Sequence, residues 1–157
     1  MKKIIAFFTT KEPYTNTKVG LTKNTSSYKE TPKLSVPQET INQVLTYLQS
    51  FEHNKEYLDS KLSINSLAQT IGTNPTYLSK IINHYKGKSF PQYINALRID
   101  SCVSTLRQEP LYQKYTIPAI ASQFGFNTAE SFGKAFSLNT GVKLSLFIKN
   151  VASMANL

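Results

Sequence analysis

The sequence predicts an all-α protein of about seven helices, and three observations carry that expectation. From position 35 onward, apolar residues recur at i, i+3, i+4 and i+7, and no segment alternates convincingly with period two. Five of the apolar stripes are opened by Ser, Thr or Asn, and four are closed by Gly, the punctuation of helix ends. The 157 residues are 40% hydrophobic and 17% charged, which is the composition of a folded chain with a core rather than of a disordered one.

Taken in order, Ser35 and Gln38 have the spacing of a capping box ahead of Ile41, Val44, Leu45 and Leu48. Ser63 opens the next stripe, Ile64, Leu67, Ala68 and Ile71, which Gly72 closes. Two residues later Asn74-Pro75 supplies an N-cap and a first-turn proline. Leu78, Ile81, Ile82 and Tyr85 then form a stripe expected to be buried, ending at Gly87. Ser89 and Gln92 cap a longer helix, 89–108, with Phe90, Tyr93, Ile94, Leu97, Cys102, Val103 and Leu106. Its apolar positions cover more than one stripe, as a helix packed on two sides requires. Thr116 opens Ile117, Ile120, Ala121 and Phe124 before Gly125. Phe132, Ala135 and Phe136 lead to Gly141, and Leu144, Phe147, Ile148 and Val151 finish the pattern.

Eighteen Lys and Arg against nine acids leave +9, an excess that calls for an acidic partner. It has two homes: residues 1–33 carry +5 and residues 62–157 carry +6, while 34–61 carry −2. Residues 1–34 are rich in Thr, Asn, Ser and Lys with no sustained period, and read as a basic flexible arm or linker in which Ile4–Phe8 adds at most one strand. That five-residue apolar run is far short of the roughly 20 residues of a bilayer span, so no membrane partner and a cytoplasmic location are expected. One cysteine, Cys102, excludes an intramolecular disulfide framework, and no Cys/His cluster is spaced to hold a metal. Cys102 reads as a small buried thiol. His53 and His84 are the only histidines, and neither a phosphate-cradling glycine loop nor a framed carboxylate pair is present. The expectation is a chain that is not an enzyme and takes no cofactor.

Two stretches match each other. Ile64, Ala68, Gly72 and Asn74 recur 53 residues later as Ile117, Ala121, Gly125 and Asn127. After a one-residue insertion, Lys80 and Gly87 recur at a shift of 54 as Lys134 and Gly141, and Leu78, Ile82 and Tyr93 recur as Phe132, Phe136 and Phe147. Each copy reads as helix, tight turn, helix. Ala68 and Ala121 sit where a larger side chain would push two crossing helices apart, and Gly72 and Gly125 supply the positive φ of a sharp turn. This is the helix-turn-helix, whose second helix offers its outer face to a major groove.

With these residues in place the chain resembles the DNA-binding domain of AraC/XylS-type bacterial transcription regulators over roughly residues 38–150. The resemblance rests on LSINSLAQTIGTNPTYLSKIINHYKGKSFPQYINALRI and TIPAIASQFGFNTAESFGKAFSLNTGVKLSLFI. Gly125-Phe126, the spacing of Ser131-Phe132 to Phe136, and Gly141 are similar to the family's second-repeat signature. The YINALRI wording is similar to regulators of Bacteroidetes-type bacteria, which often join this domain to sensor and membrane-spanning segments. Nothing in the chain resembles such a sensor, which leaves a fragment and a stand-alone reader both open. The resemblance implies two homeodomain-like helix-turn-helix subdomains joined by a long connecting helix. The first repeat then covers about 35–88, the connecting helix 89–108 and the second repeat about 115–152. It further implies sequence-specific binding of double-stranded DNA, with recognition helices at about 75–86 and 128–139 in successive major grooves. RNA polymerase is a second expected partner.

Burying the apolar stripe of the first recognition helix leaves Thr76, Ser79, Lys80 and Asn83 in one outward row, with Asn74 and Tyr77 at the helix start. Lys80 suits guanine O6/N7, Asn83 suits adenine, and Thr76 suits a thymine methyl. Lys86 and Lys88 suit phosphate. On the second helix the matching row is Glu130, Gly133, Lys134 and Ser137, preceded by Asn127, Thr128 and Ala129. Glu130 repels phosphate unless it accepts from a cytosine N4 or joins a cap at Asn127, and Gly133 presents no side chain. The halves are therefore expected to be unequal, the first reading bases and the second mainly positioning the protein. Arg98, on the connecting helix, reads as a bridge between subdomains ahead of a phosphate contact. The alternative is a protein-interaction module that contacts RNA polymerase or a partner regulator and binds DNA only weakly.

Overall fold

A computed structural model describes residues 34–155, so the expected basic arm lies almost wholly outside the described residues. Seven α-helices follow one another, with no strand among the described residues: α1 Gln38–His53, α2 Ile64–Ile71, α3 Pro75–Lys86, α4 Phe90–Gln108, α5 Ile117–Gln123, α6 Ala129–Thr140 and α7 Leu144–Ala155. Short 3₁₀ turns at Glu56–Leu58 and Pro110–Lys114 lead into α2 and α5.

The caps explain most of the boundaries. The Ser63 side chain accepts from the Ser66 N–H at 3.1 Å, and Ser66 Oγ accepts from the Ser63 N–H at 3.0 Å, closing a capping box over α2. Asn74 Oδ1 accepts from the Tyr77 N–H at 2.8 Å, with Pro75 in the first turn of α3. The Ser89 N–H donates to Gln92 Oε1 at 3.0 Å at the start of α4.

Two expected caps are corrected. Ser35 does not cap α1: the N-cap is Pro37, in extended backbone and with no side-chain acceptor, and Ser35 lies two residues too early. In the second repeat Thr128, not Asn127, caps α6, its Oγ1 accepting from the Ser131 N–H at 3.1 Å. The residue inserted in that turn moves the start of the helix one position along the chain.

The two tight turns have the same backbone wiring. The Gly72 N–H donates to the Gln69 carbonyl at 3.1 Å and the Thr73 N–H to the Ala68 carbonyl at 2.9 Å. Fifty-three residues on, Gly125 donates to Ser122 at 3.1 Å and Phe126 to Ala121 at 2.9 Å. Both are Schellman closures, with the glycines at φ +81° and +79°. Ala68 and Ala121 are buried at the helix crossings, as their small size requires.

The first half packs an aliphatic core: Ile41, Val44 and Leu48 of α1 meet Leu67 and Ile71 of α2, Leu78, Ile81 and Ile82 of α3, and Tyr93 and Ile94 of α4. Tyr85, expected in this core, is 47% exposed and instead meets His84 edge-on, ring centroids 4.8 Å apart. Tyr85 lies in the last turn of α3, beyond Ile82, the last buried residue of the helix. The second half is aromatic. Phe126, Phe132, Phe136 and Phe147 form a run of ring contacts with successive centroids 5.2, 6.0 and 5.3 Å apart. Ile117, expected to join this core, is 38% exposed at the first turn of α5.

Helix α4 serves both halves. It packs on α3, α6 and α7, with Tyr93, Ile94, Arg98, Ile99, Cys102 and Leu106 buried. The Cys102 thiol is fully buried, and burial pushes its pKa up to about 12, so it is a packing residue.

Candidate nucleic-acid interface

Helix α3 presents Thr76, Lys80 and Asn83 exposed on its outer side, with Ser79 and Tyr77 half-buried beside them. Its opposite side is fixed in the core by Leu78, Ile81 and Ile82. Asn74 is exposed, but its side-chain oxygen is engaged as the cap. Lys80 Nζ donates to Ser35 Oγ at 3.1 Å, a neutral and exposed partner that leaves the charge unpaired by any acid at that contact.

Lys86 is placed differently from Lys80. Its ammonium donates to Glu52 Oε1 at 2.7 Å and lies 5.6 Å from the centre of the Tyr93 ring. Tyr93 Oη donates to the same Glu52 oxygen at 2.7 Å. Burial pushes the Glu52 carboxyl up, but the two hydrogen bonds and the Lys86 charge outweigh it and hold the group below its ordinary value. Burial, then the Glu52 hydrogen bond and charge, push the Tyr93 phenol upward. Lys86 is thus tied into a network joining α1, α3 and α4. Lys88 is exposed and lines a cleft of about 350 Å³ with Gly87, Gln92, Asn95, Leu138 and Asn139. That cleft brings the C-terminal ends of α3 and α6 together over the first half of α4.

On α6, Asn127, Thr128, Glu130 and Lys134 are exposed, while Ala129 and Ser137 are half-buried. Lys134 Nζ donates to Glu130 Oε1 at 2.7 Å, an i,i+4 pair with both side chains about three-quarters exposed. Such an exposed pair contributes little to stability, typically below about 1 kcal/mol, but it cancels the net charge of this face. A Cβ built on Gly133 would meet nothing within 4 Å. An open groove of about 840 Å³ runs along this side, lined by Ile117, Ala129, Gly133, Ser137, Leu138 and Leu144, with Lys134, Lys143 and Ser145 around them.

Leu138, Ile117 and Lys143 were not among the residues expected from sequence. Leu138, at 80% exposure, had a readable signal: it lies four residues after Lys134, on the outward row, and off the stripe of Phe132, Ala135 and Phe136.

Arg98 joins the two halves, as expected of it. It is 8% exposed, and its Nε donates to the Tyr57 carbonyl at 2.7 Å and its NH2 to the Asp59 carbonyl at 2.8 Å. Its guanidinium sits 5.4 Å from the centre of the Phe126 ring. Gly125 lies in the same junction: a Cβ there would come within 2.5 Å of the Leu58 carbonyl oxygen and 3.0 Å of Arg98 Nε.

The arrangement defines a class, a tandem of two helix-turn-helix units on a shared helix. A family model described as a helix-turn-helix domain matches residues 67–150, more than half of the chain, and the chain belongs to that family. In sequence it is similar to an uncharacterized HTH-type transcriptional regulator of Staphylococcus aureus strain MSSA476, 31% identical over 98 residues. The match takes in 62% of this chain and 12% of that protein, and a counterpart in strain N315 gives the same figures. The chain therefore spans about an eighth of the length of these relatives. In fold it is similar to the C-terminal domain of AraT, a response regulator from Geobacillus stearothermophilus. That likeness has a TM-score of 0.58 and 24% identity, covering 75% of this chain and 88% of that one. A transcriptional regulator with an AraC-type DNA-binding domain from Chromobacterium violaceum gives 0.55 and 16%, covering 73% and 94%. The AraC-type resemblance drawn from the sequence agrees with these neighbours, and the relatives are regulators and DNA-binding domains rather than enzymes.

Proposed function

We propose that this chain is the DNA-binding part of a transcription regulator, with residues 35–152 as the binding domain. Helices α3 and α6 then enter successive major grooves on one face of double-stranded DNA. The observation that supports this best is the cleft at Gly87, Lys88, Gln92, Asn95, Leu138 and Asn139, because it sets the ends of α3 and α6 on the same side of α4. Thr76, Lys80 and Asn83 are the base-reading residues in this account, with Ser79 and Tyr77 beside them. Lys88 meets phosphate, Asn74 and Thr128 set the helix starts, and Lys86 serves the Glu52 network rather than DNA. As a cytoplasmic regulator bound to the nucleoid, the protein would act with RNA polymerase.

Titrating fluorescent duplexes at several salt concentrations tests the proposal. Affinity should fall by about 0.9 log units per log unit of salt for each phosphate neutralised, and duplexes of different sequence should be discriminated. Equal binding to every duplex would favour a protein-interaction module.

A further inference from the structure

The groove along α6 is shaped for something other than hydrogen-bonded base reading. Its lining is largely apolar or bare: Ile117, Ala129, Gly133, Leu138 and Leu144, with Ser137 and Ser145 as the uncharged polar residues. Leu138 is the most exposed large apolar side chain among the described residues, and no Cβ fills the space above Gly133. Lys134, a long donor on this face, is paired with Glu130 in the free protein. Lys134 and Lys143 are both among the residues that line the groove.

We propose that this groove receives the 5-methyl groups of thymines, so that the second half-site is recognised by apolar contact while the first is read by donors. The inference rests on the DNA-binding reading above and adds the chemistry of its second half. The charge pattern selects the occupant. A major groove offers methyl-bearing base edges between two rows of phosphates, and the site offers apolar side chains together with Lys134 and Lys143. The exposed Glu130–Lys134 pair is weak enough to exchange for a phosphate. A protein partner fits less well, since a stable protein interface takes about 20–30 residues a side and nine residues line this groove.

The test uses the whole chain and a duplex selected from a random pool for tight binding. Thymines are replaced one at a time by deoxyuridine, which removes only the methyl group. Each contacted position in the second half-site should lose about fourfold in affinity, the equivalent of one buried CH₂ group. Leu138→Ser, at an exposed position where folding is not at stake, should bind the thymine duplex more weakly and lose sensitivity to deoxyuridine there. Three results overturn the proposal while leaving DNA reading intact: a selected second half-site without thymine, unchanged affinity on deoxyuridine substitution, or Leu138→Ser binding like the unaltered protein. Absence of sequence-selective binding to any duplex overturns both readings.

Discussion

The two halves of this molecule share a backbone and differ in nearly everything mounted on it. The turn after α2 and the turn after α5 close with the same pair of hydrogen bonds, 3.1 and 2.9 Å in each, at glycines of nearly equal φ. At the next position the first half has Thr73, whose buried hydroxyl has no hydrogen-bond partner among the described residues. The second half has Phe126 there, packed on Phe132 and lying under Arg98. The first half is braced by α1, where Gln43 Nε2 donates to the Ile71 carbonyl at 2.6 Å; the second leans on α4. The outer faces diverge as far: exposed donors on α3, a self-paired charge and an apolar groove on α6. Backbone closure needs only an alanine, a glycine and a cap, so the residues around them are free to take on different work.

The comparison breaks most severely at Arg98. Arg98→Ala leaves the Tyr57 and Asp59 carbonyls without their charged donor and should cost about 3 kcal/mol in denaturant-induced unfolding. Arg98→Lys should recover little of this, because a single ammonium cannot reproduce the planar fork. If instead each half unfolds as before, the halves are not coupled through this residue.

A smaller and more pointed difference concerns the paired lysines. Lys80→Ala should weaken binding to the preferred duplex by about 1–3 kcal/mol, and Lys134→Ala by less than about 1 kcal/mol. Equal losses would make the two faces equivalent readers and remove the asymmetry. The smallest effect is at Gly133. Gly133→Ala should stabilise α6 by about 0.5–1 kcal/mol, since the added methyl meets nothing in the fold. A thermal melt showing destabilisation would mean that the glycine is there for a packing reason.

How much of this could be read from sequence follows the range of each interaction. Helix bounds came through because period and caps are local: Asn74-Pro75 marks the start of α3, and Gly72 and Gly125 mark the turns. The internal repeat placed Ala68 and Ala121 at the buried crossings. Pairings between distant elements were not legible. Lys86 meets Glu52 across 34 residues and Lys80 meets Ser35 across 45, and no periodicity within one helix announces either. Tyr85 fits the apolar stripe of α3 yet is exposed, in the last turn and past the helix's last buried residue, Ile82. The cap at Thr128 was missed by one residue, the length of the insertion in its turn. Arg98 was anticipated through the family resemblance, not through any feature of its own helix. The groove on α6 went unseen because it combines α5, α6 and the start of α7, although Leu138 on the outward row pointed to it.

The central claim is that two unequal reading faces address neighbouring major grooves of one duplex. Selecting bound duplexes from a random pool measures this directly. The account predicts a bipartite consensus with centres about 10 base pairs apart, strongly constrained on the side of α3 and constrained to thymine on the side of α6. A single short consensus, or two halves separated by half a helical turn, would contradict it.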